Sequence, residues 1–160
     1  MKQRLNVVEK GMPAMKAMYA MGIYLSKSPV ERTLLELIYY RVSQINGCAY
    51  CLDMHTKDLR DAGESEQRLY VLPAWRDAPF YSDRERAALA WAEALTKLEG
   101  HAVSDEIYDA AFAEFGEEEL IDLTLAVIAI NGYNRVNLAF PNKAVVGTYR
   151  PGVHAVQAGD

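Results

Sequence analysis

Apolar residues recur at helical spacing along most of the chain, and short polar or glycine-containing breaks separate the helical segments. The alternation typical of a strand occurs only at Val145-Val146, which is too short to form one. The pattern predicts an all-α fold in a single domain over residues 1–150, followed by a flexible tail over 151–160. The predicted helices cover 12–25, 29–44, 48–62, 65–72, 83–99, 104–115 and 117–138.

Two segments carry the signature of a capping box, in which a serine and a glutamate three residues later satisfy the first backbone amides of a helix. One begins at Ser28, with Pro29 suited to the first helical position and Glu31 closing the box. The other begins at Ser82 and is closed by Glu85. Both serines are therefore predicted to start helices.

The last predicted helix is apolar on most of its sides between Leu120 and Ile130. A helix with this pattern is buried all round. In a chain of 160 residues, we therefore expect either a central core helix or a subunit interface.

Composition and charge exclude several functional classes. Hydrophobic residues make up 51% of the chain, which excludes a disordered protein. The 17 basic and 22 acidic residues give a net charge of -5, so no nucleic-acid partner and no anionic membrane surface is expected. No segment has the roughly 20 apolar residues of a membrane span, and the N-terminus lacks the apolar run of a signal peptide. A cytoplasmic location is predicted.

Both cysteines lie in one short segment, Cys48-Ala49-Tyr50-Cys51. Laid out at helical spacing, Cys48, Cys51 and His55 share one face at the start of a helix. Free amides and the dipole at a helix N-terminus favour thiolate over thiol, and an imidazole one turn away can take or return a proton. This arrangement favours redox chemistry through the two thiols, with no cofactor.

Other readings of the same residues remain open. A buried cysteine is often a small hydrophobic residue, and an inward-facing histidine is often part of the core. Zinc is a further competitor, with Cys48, Cys51 and His55 as ligands and Glu36 as a fourth. Structural zinc sites usually draw a second ligand pair from another segment, and the chain has no second cysteine pair, so no metal is predicted.

The stretch from Glu36 to Gly63 resembles the AhpD-like alkylhydroperoxidase group of the carboxymuconolactone decarboxylase superfamily. Its pattern is a glutamate, a CxxC pair twelve residues later, and a histidine four residues after the second cysteine. The segment 82–89 and the stretch Asn131 to Asn137 are also similar to that family. The residues that carry the match are Glu36, Asn46, Gly47, Cys48, Cys51 and His55.

The resemblance implies an all-helical protein that forms homo-oligomers, commonly trimers or hexamers, and acts as a thiol peroxidase on hydrogen peroxide or organic hydroperoxides. By analogy, Cys51 is the attacking thiolate, Cys48 is the resolving thiol, and Glu36 and His55 form the proton relay. A dithiol donor, in the best-known members a lipoylated protein, reduces the resulting disulfide.

The chain departs from the family pattern at one position, and periodicity disagrees at another. The best-known members have a histidine directly before the second cysteine, where this chain has Tyr50, and a phenol is a poorer base at neutral pH. A general disulfide reductase is therefore an alternative. A redox-sensing module and, less favoured, a lactone decarboxylase of the same superfamily are separate alternatives. Helical periodicity alone places Glu36 on a solvated face or beside Arg32, whereas the relay requires that face to be covered.

Overall fold

A computed structural model of the protein describes residues 4–141 and 146–151. The predicted flexible tail lies, from residue 152 onward, outside the described residues, and so does Val145. Within the described part of the chain there are six α-helices and no strand, which confirms the all-α prediction. The α-helices are α1 (Val7–Leu25), α2 (Arg32–Asn46), α3 (Ala49–Asp61), α4 (Glu66–Val71), α5 (Asp83–Lys97) and α6 (Asp105–Ala139).

The core lies where α2, α5 and α6 pack against one another, with α3 on α2 and α1 on α6. Buried leucine, isoleucine and valine side chains, none more than 6% exposed, fill it, as expected when one apolar stripe from each helix faces inward. Burial of each of these side chains contributes about 1.5–3 kcal/mol to folding. Members of this core from four helices are Ile38, Val42, Leu59, Leu89, Leu123 and Val127.

The two predicted capping boxes have different outcomes. At the start of α5, the Ser82 hydroxyl accepts a hydrogen bond from the Glu85 amide and the Glu85 carboxylate accepts one from the Ser82 amide, so this box is confirmed. The box at Ser28 is wrong, because α2 begins at Arg32 with Glu31 as its N-cap residue. The Ser28 hydroxyl donates instead to the buried carboxylate of Asp122, 94 residues away.

Helix α6 is broken at Gly116, whose backbone is non-helical with φ of 64°, so the predicted boundary between two helices is confirmed. The expectation of burial on every side is wrong for the single chain. Leu123, Val127 and Ile130 face the core, whereas Ile121 and Ile128 are 61% and 53% exposed. The exposed pair is spaced by seven residues, which places it on one stripe opposite the core.

The segment 146–151 lies against the outer face of α3. The Gly147 amide donates to Asp53 at 2.9 Å, and the Lys57 ammonium donates to the Tyr149 carbonyl at 3.2 Å. This contact brings the C-terminal part of the described chain next to the cysteine-bearing helix.

Candidate active site

A sharp corner between α2 and α3 sets the position of the cysteine pair. Gly47 ends α2 in the left-handed conformation, with φ of 68°, which glycine adopts without steric strain. The next residue, Cys48, is the N-cap of α3, and its amide donates to the Ser43 carbonyl at 3.1 Å. The predicted break at Asn46-Gly47 and the helix start at Cys48 are therefore confirmed.

Cys48 and Cys51 are joined by a disulfide, with their Cα atoms 5.4 Å apart. Both residues are only 1% exposed. Cys51 lies in the first turn of α3, so both sulfurs are close to the free backbone amides at the positive end of the helix. The pair can alternate between disulfide and dithiol, and an anionic sulfur at this place is electrostatically favoured.

Glu36 and His55 form a hydrogen-bonded pair between α2 and α3. The distance between Glu36 Oε2 and His55 Nδ1 is 2.8 Å, and their side chains are 17% and 6% exposed. The interpretation of Glu36 as solvated or paired with Arg32 is wrong, because α3 covers this face of α2 and supplies His55. The helical spacing correctly predicted that the two cysteines and His55 share the inward face.

The pairing with Glu36 determines which nitrogen of His55 is available for proton transfer. A carboxylate that accepts from Nδ1 stabilises the tautomer with its proton on Nδ1, which leaves the lone pair on Nε2. Nε2 is buried and has no hydrogen-bond partner within the described part of the chain. The ring of Tyr39 lies 5.4 Å from the imidazole, and burial raises the pKa of that phenol well above its usual range. Tyr39 therefore remains protonated beside the histidine.

Asp58 is a second carboxylate at this site that was not predicted from the sequence. Its carboxylate, Glu36 and His55 have ligand atoms that all lie within 4.8 Å of one another. The Tyr149 hydroxyl donates to both Asp58 oxygens, at 2.8 and 3.0 Å. Burial, followed by the charge of Glu36, raises the pKa of Asp58, although the hydrogen bond from Tyr149 opposes this. Asp58 is three residues after His55, a spacing that indicates a shared face.

Asn137 also reaches the site, from the last turn of α6. Its amide nitrogen donates to Cys51 Sγ at 3.3 Å across 86 residues of sequence. The region 131–137 matched the family pattern, but no local feature of the sequence indicated a contact with the cysteine. Tyr50, by contrast, is half-buried, and burial raises the pKa of its phenol, with smaller contributions from Asp53 and Asp58. A phenol held protonated in this way does not act as a base at neutral pH.

The residues of the competing zinc interpretation do not come together as a four-residue set, because Cys48 and Cys51 are bonded to each other. The groups that the structure places at ligand distance from one another are Glu36, His55 and Asp58. Hydrogen bonds already engage Nδ1 of His55 and both oxygens of Asp58. The site is therefore a hydrogen-bonded cluster of Glu36, His55 and Asp58, with His55 one helical turn after Cys51 on α3.

Within residues 4–141 and 146–151, no helix combines the length and the apolar character needed to cross a bilayer.

Comparison with known proteins gives a consistent set of matches. Residues 11–94 match the model of the carboxymuconolactone decarboxylase family. The uncharacterized protein YdfG of Bacillus subtilis is 44% identical over 144 residues, which cover 90% of this chain and 98% of YdfG. The alkyl hydroperoxide reductase AhpD of Methylocella silvestris is 44% identical over 63 residues, covering 39% of this chain and 33% of that protein.

The fold also matches a solved structure. A protein of unknown function from Agrobacterium tumefaciens, named only as a candidate AhpD antioxidant defence protein, superimposes with a TM-score of 0.84 and 38% sequence identity. The match covers 89% of this chain and 97% of that one. The arrangement of the helices is therefore shared with that protein.

Proposed function

The chain belongs to the carboxymuconolactone decarboxylase family, within its AhpD-like group, and we propose that it is a thiol-dependent peroxidase. Its substrates would be hydrogen peroxide or organic hydroperoxides, which it reduces to water or alcohols. The observation that carries the proposal is the Cys48–Cys51 pair at the start of α3, beside the buried Glu36–His55 hydrogen bond. The relatives named for alkyl hydroperoxide reduction and antioxidant defence support the same class of chemistry.

In the first step, Nε2 of His55 takes the proton of the Cys51 thiol, and the negative charge of Glu36 stabilises the imidazolium that forms. The Cys51 thiolate attacks the nearer peroxide oxygen. A bond forms between sulfur and that oxygen, the O–O bond breaks, and its electron pair leaves on the distal oxygen. His55 returns the proton to this oxygen, so the products are an alcohol or water and a Cys51 sulfenic acid.

In the second step, the Cys48 sulfur attacks the Cys51 sulfenic acid, and the hydroxyl leaves as water after it takes up the Cys48 proton. The product is the disulfide seen in the structure. A dithiol donor, for which a lipoylated protein is the proposed source, reduces this disulfide by thiol–disulfide exchange and is oxidised to its own disulfide. The cycle then consumes one peroxide and one dithiol, and needs no bound cofactor.

General disulfide reduction or redox sensing is the second candidate. Tyr50 supports it, because the best-known AhpD-like peroxidases have a histidine at this position and the raised pKa of Tyr50 removes it as a base. Lactone decarboxylation is less favoured, because members with that activity generally lack the CxxC pair that is present here.

We also propose that the protein works in the cytoplasm as a homo-oligomer, a trimer or a hexamer. A cytoplasmic site suits a thiol cycle that depends on a dithiol reductant. The exposed stripe of Ile121 and Ile128 on α6 supports self-association, because exposed apolar side chains of this size favour burial. Light scattering of the purified protein is expected to give three or six copies, and a monomer would contradict this part of the proposal.

The test is the consumption of peroxide with dihydrolipoamide as the reductant, in the wild type and in Cys51→Ser and Cys48→Ser variants. The wild type is expected to turn over, and neither variant is expected to complete the cycle. A wild type whose disulfide forms and is reduced without peroxide turnover would instead support a disulfide reductase or a sensor. Lactone turnover retained in a double Cys→Ser variant would support the decarboxylase.

A further inference from the structure

The structure gives Cys51 a hydrogen-bond donor from a distant helix. Nδ2 of Asn137, in the last turn of α6, lies 3.3 Å from Cys51 Sγ. Asn137 is half-buried, so water competes only partly for its amide. The contact links the first turn of α3, which carries Cys51, to the last turn of α6, which carries Asn137.

A ladder of polar side chains holds α6 in this position. Nδ2 of Asn46 donates to Oδ1 of Asn131 at 3.0 Å and to Oδ1 of Asn134 at 2.9 Å. Nδ2 of Asn134, which is fully buried, donates to the Ser43 hydroxyl at 3.1 Å. These bonds attach α6 to the last turn of α2, immediately before the cysteine pair. Asn137 follows Asn134 by three residues, so the ladder and the sulfur contact lie on one face of α6.

The sulfur contact changes in strength with the redox and charge state of Cys51. A disulfide sulfur is a weak acceptor of hydrogen bonds, whereas a thiolate is an ionised acceptor. A donor fixed at this distance therefore stabilises the thiolate more than it stabilises the thiol or the disulfide. The two cysteines are otherwise similar in their burial and in their closeness to the start of α3.

We propose that Asn137 is a catalytic residue that stabilises the Cys51 thiolate through its amide N–H and thereby selects Cys51 for the attack on the oxidant. The inference rests on the proposed function for its role in turnover, but the contact itself acts on the charge of the thiol. The proposal predicts that Asn137 lowers the pKa of the Cys51 thiol and has no comparable effect on the pKa of the Cys48 thiol.

The test is the pH dependence of alkylation by iodoacetamide in single-cysteine proteins, which requires no peroxide. In the Cys48→Ser background, Asn137→Ala is expected to move the titration of Cys51 to higher pH. The thiolate fraction below the pKa should fall about tenfold, which corresponds to one pKa unit. Asn137→Asp, which is close in shape and adds a negative charge, should move the titration at least as far. In the Cys51→Ser background, Asn137→Ala should leave the titration of Cys48 unchanged.

Thr124→Ala is the matched control, because Thr124 lies on the same helix, outside the ladder, and accepts a hydrogen bond from Nε1 of Trp91 at 3.1 Å. Its loss should lower the free energy of unfolding without a shift in the titration of Cys51. An unchanged Cys51 titration in both Asn137 variants would overturn the inference, and so would an equal shift of Cys48 or an equal shift caused by Thr124→Ala. A shifted titration without any peroxide turnover would support the role of Asn137 while rejecting the peroxidase function.

Discussion

Replacement of Glu36 by glutamine tests whether its charge assists proton transfer through His55. The substitution preserves the shape of the side chain and an acceptor oxygen, but removes the negative charge 2.8 Å from His55 Nδ1. Both side chains are largely buried, at 17% and 6% exposure, so solvent screens the pair only weakly. A hydrogen bond to a charged group contributes about 1.5–3 kcal/mol. Since about 1.4 kcal/mol corresponds to tenfold in rate, oxidation should slow by about 10- to 150-fold.

The assay is rapid mixing of reduced protein with excess hydrogen peroxide, with the loss of free thiols followed over time. The second-order rate constant of Glu36→Gln is compared with that of the wild type. The pKa of the Asp58 carboxyl is a second measurable quantity, because the charge of Glu36 is one of the causes that raise it. In Glu36→Gln, the pKa of the Asp58 carboxyl should fall, as measured by NMR titration.

Glu31→Gln is the control, because Glu31 is a half-exposed carboxylate that pairs with Arg84 before α2 begins. Its rate constant should equal that of the wild type. The reasoning is refuted if Glu36→Gln reacts with peroxide as fast as the wild type, or if Glu31→Gln loses as much activity as Glu36→Gln.

Three further predictions concern stability. Burial and the charge of Glu36 raise the pKa of Asp58 above 3.8, so the folded protein retains a proton that the unfolded chain releases. The free energy of unfolding therefore falls as the pH rises from the unfolded-state pKa of Asp58 to its folded-state pKa. The variant Asp58→Asn should lose less stability over the same range in urea unfolding measured from about pH 4 upward, and parallel profiles would contradict this. Gly47→Ala should destabilise the protein by about 1–2 kcal/mol, because its φ of 68° is left-handed. Gly22→Ala, within α1 and clear of close contacts, should stabilise it by about 0.5–1 kcal/mol; equal effects of the two substitutions would refute the assignment of strain. Asp122→Ala removes a buried carboxylate that accepts from two hydroxyls, and should lower the free energy of unfolding by about 1–3 kcal/mol in the same assay. An unchanged urea concentration at the midpoint of unfolding would show that these hydrogen bonds add no net stability.

Local sequence patterns predicted the parts of the fold that depend on neighbouring residues. The helix at Ser82, the break at Gly47 and the shared face of Cys48, Cys51 and His55 all follow from capping chemistry and helical spacing. The box at Ser28 failed because its hydroxyl accepts from the amide of Val30, in a turn before α2 begins, and donates to a buried carboxylate far along the chain.

The composition of the site depends on contacts that no local pattern records. Periodicity placed Glu36 on a polar face, and only the packing of α3 on α2 turns that face toward His55. Asp58 was accessible to sequence reasoning through its spacing from His55. Asn137 and Tyr149 join the site across 86 and 91 residues of sequence, where only the path of the folded chain determines the approach.

The most direct test of the central claim is a single turnover of the reduced protein with one equivalent of hydrogen peroxide, analysed by peptide mass spectrometry. The account predicts that two thiols are lost for each peroxide consumed, that the Cys48–Cys51 disulfide is the product, and that Cys48→Ser instead accumulates a sulfenic acid on Cys51. A reduced protein that leaves the peroxide unconsumed, with both thiols still free, would contradict it.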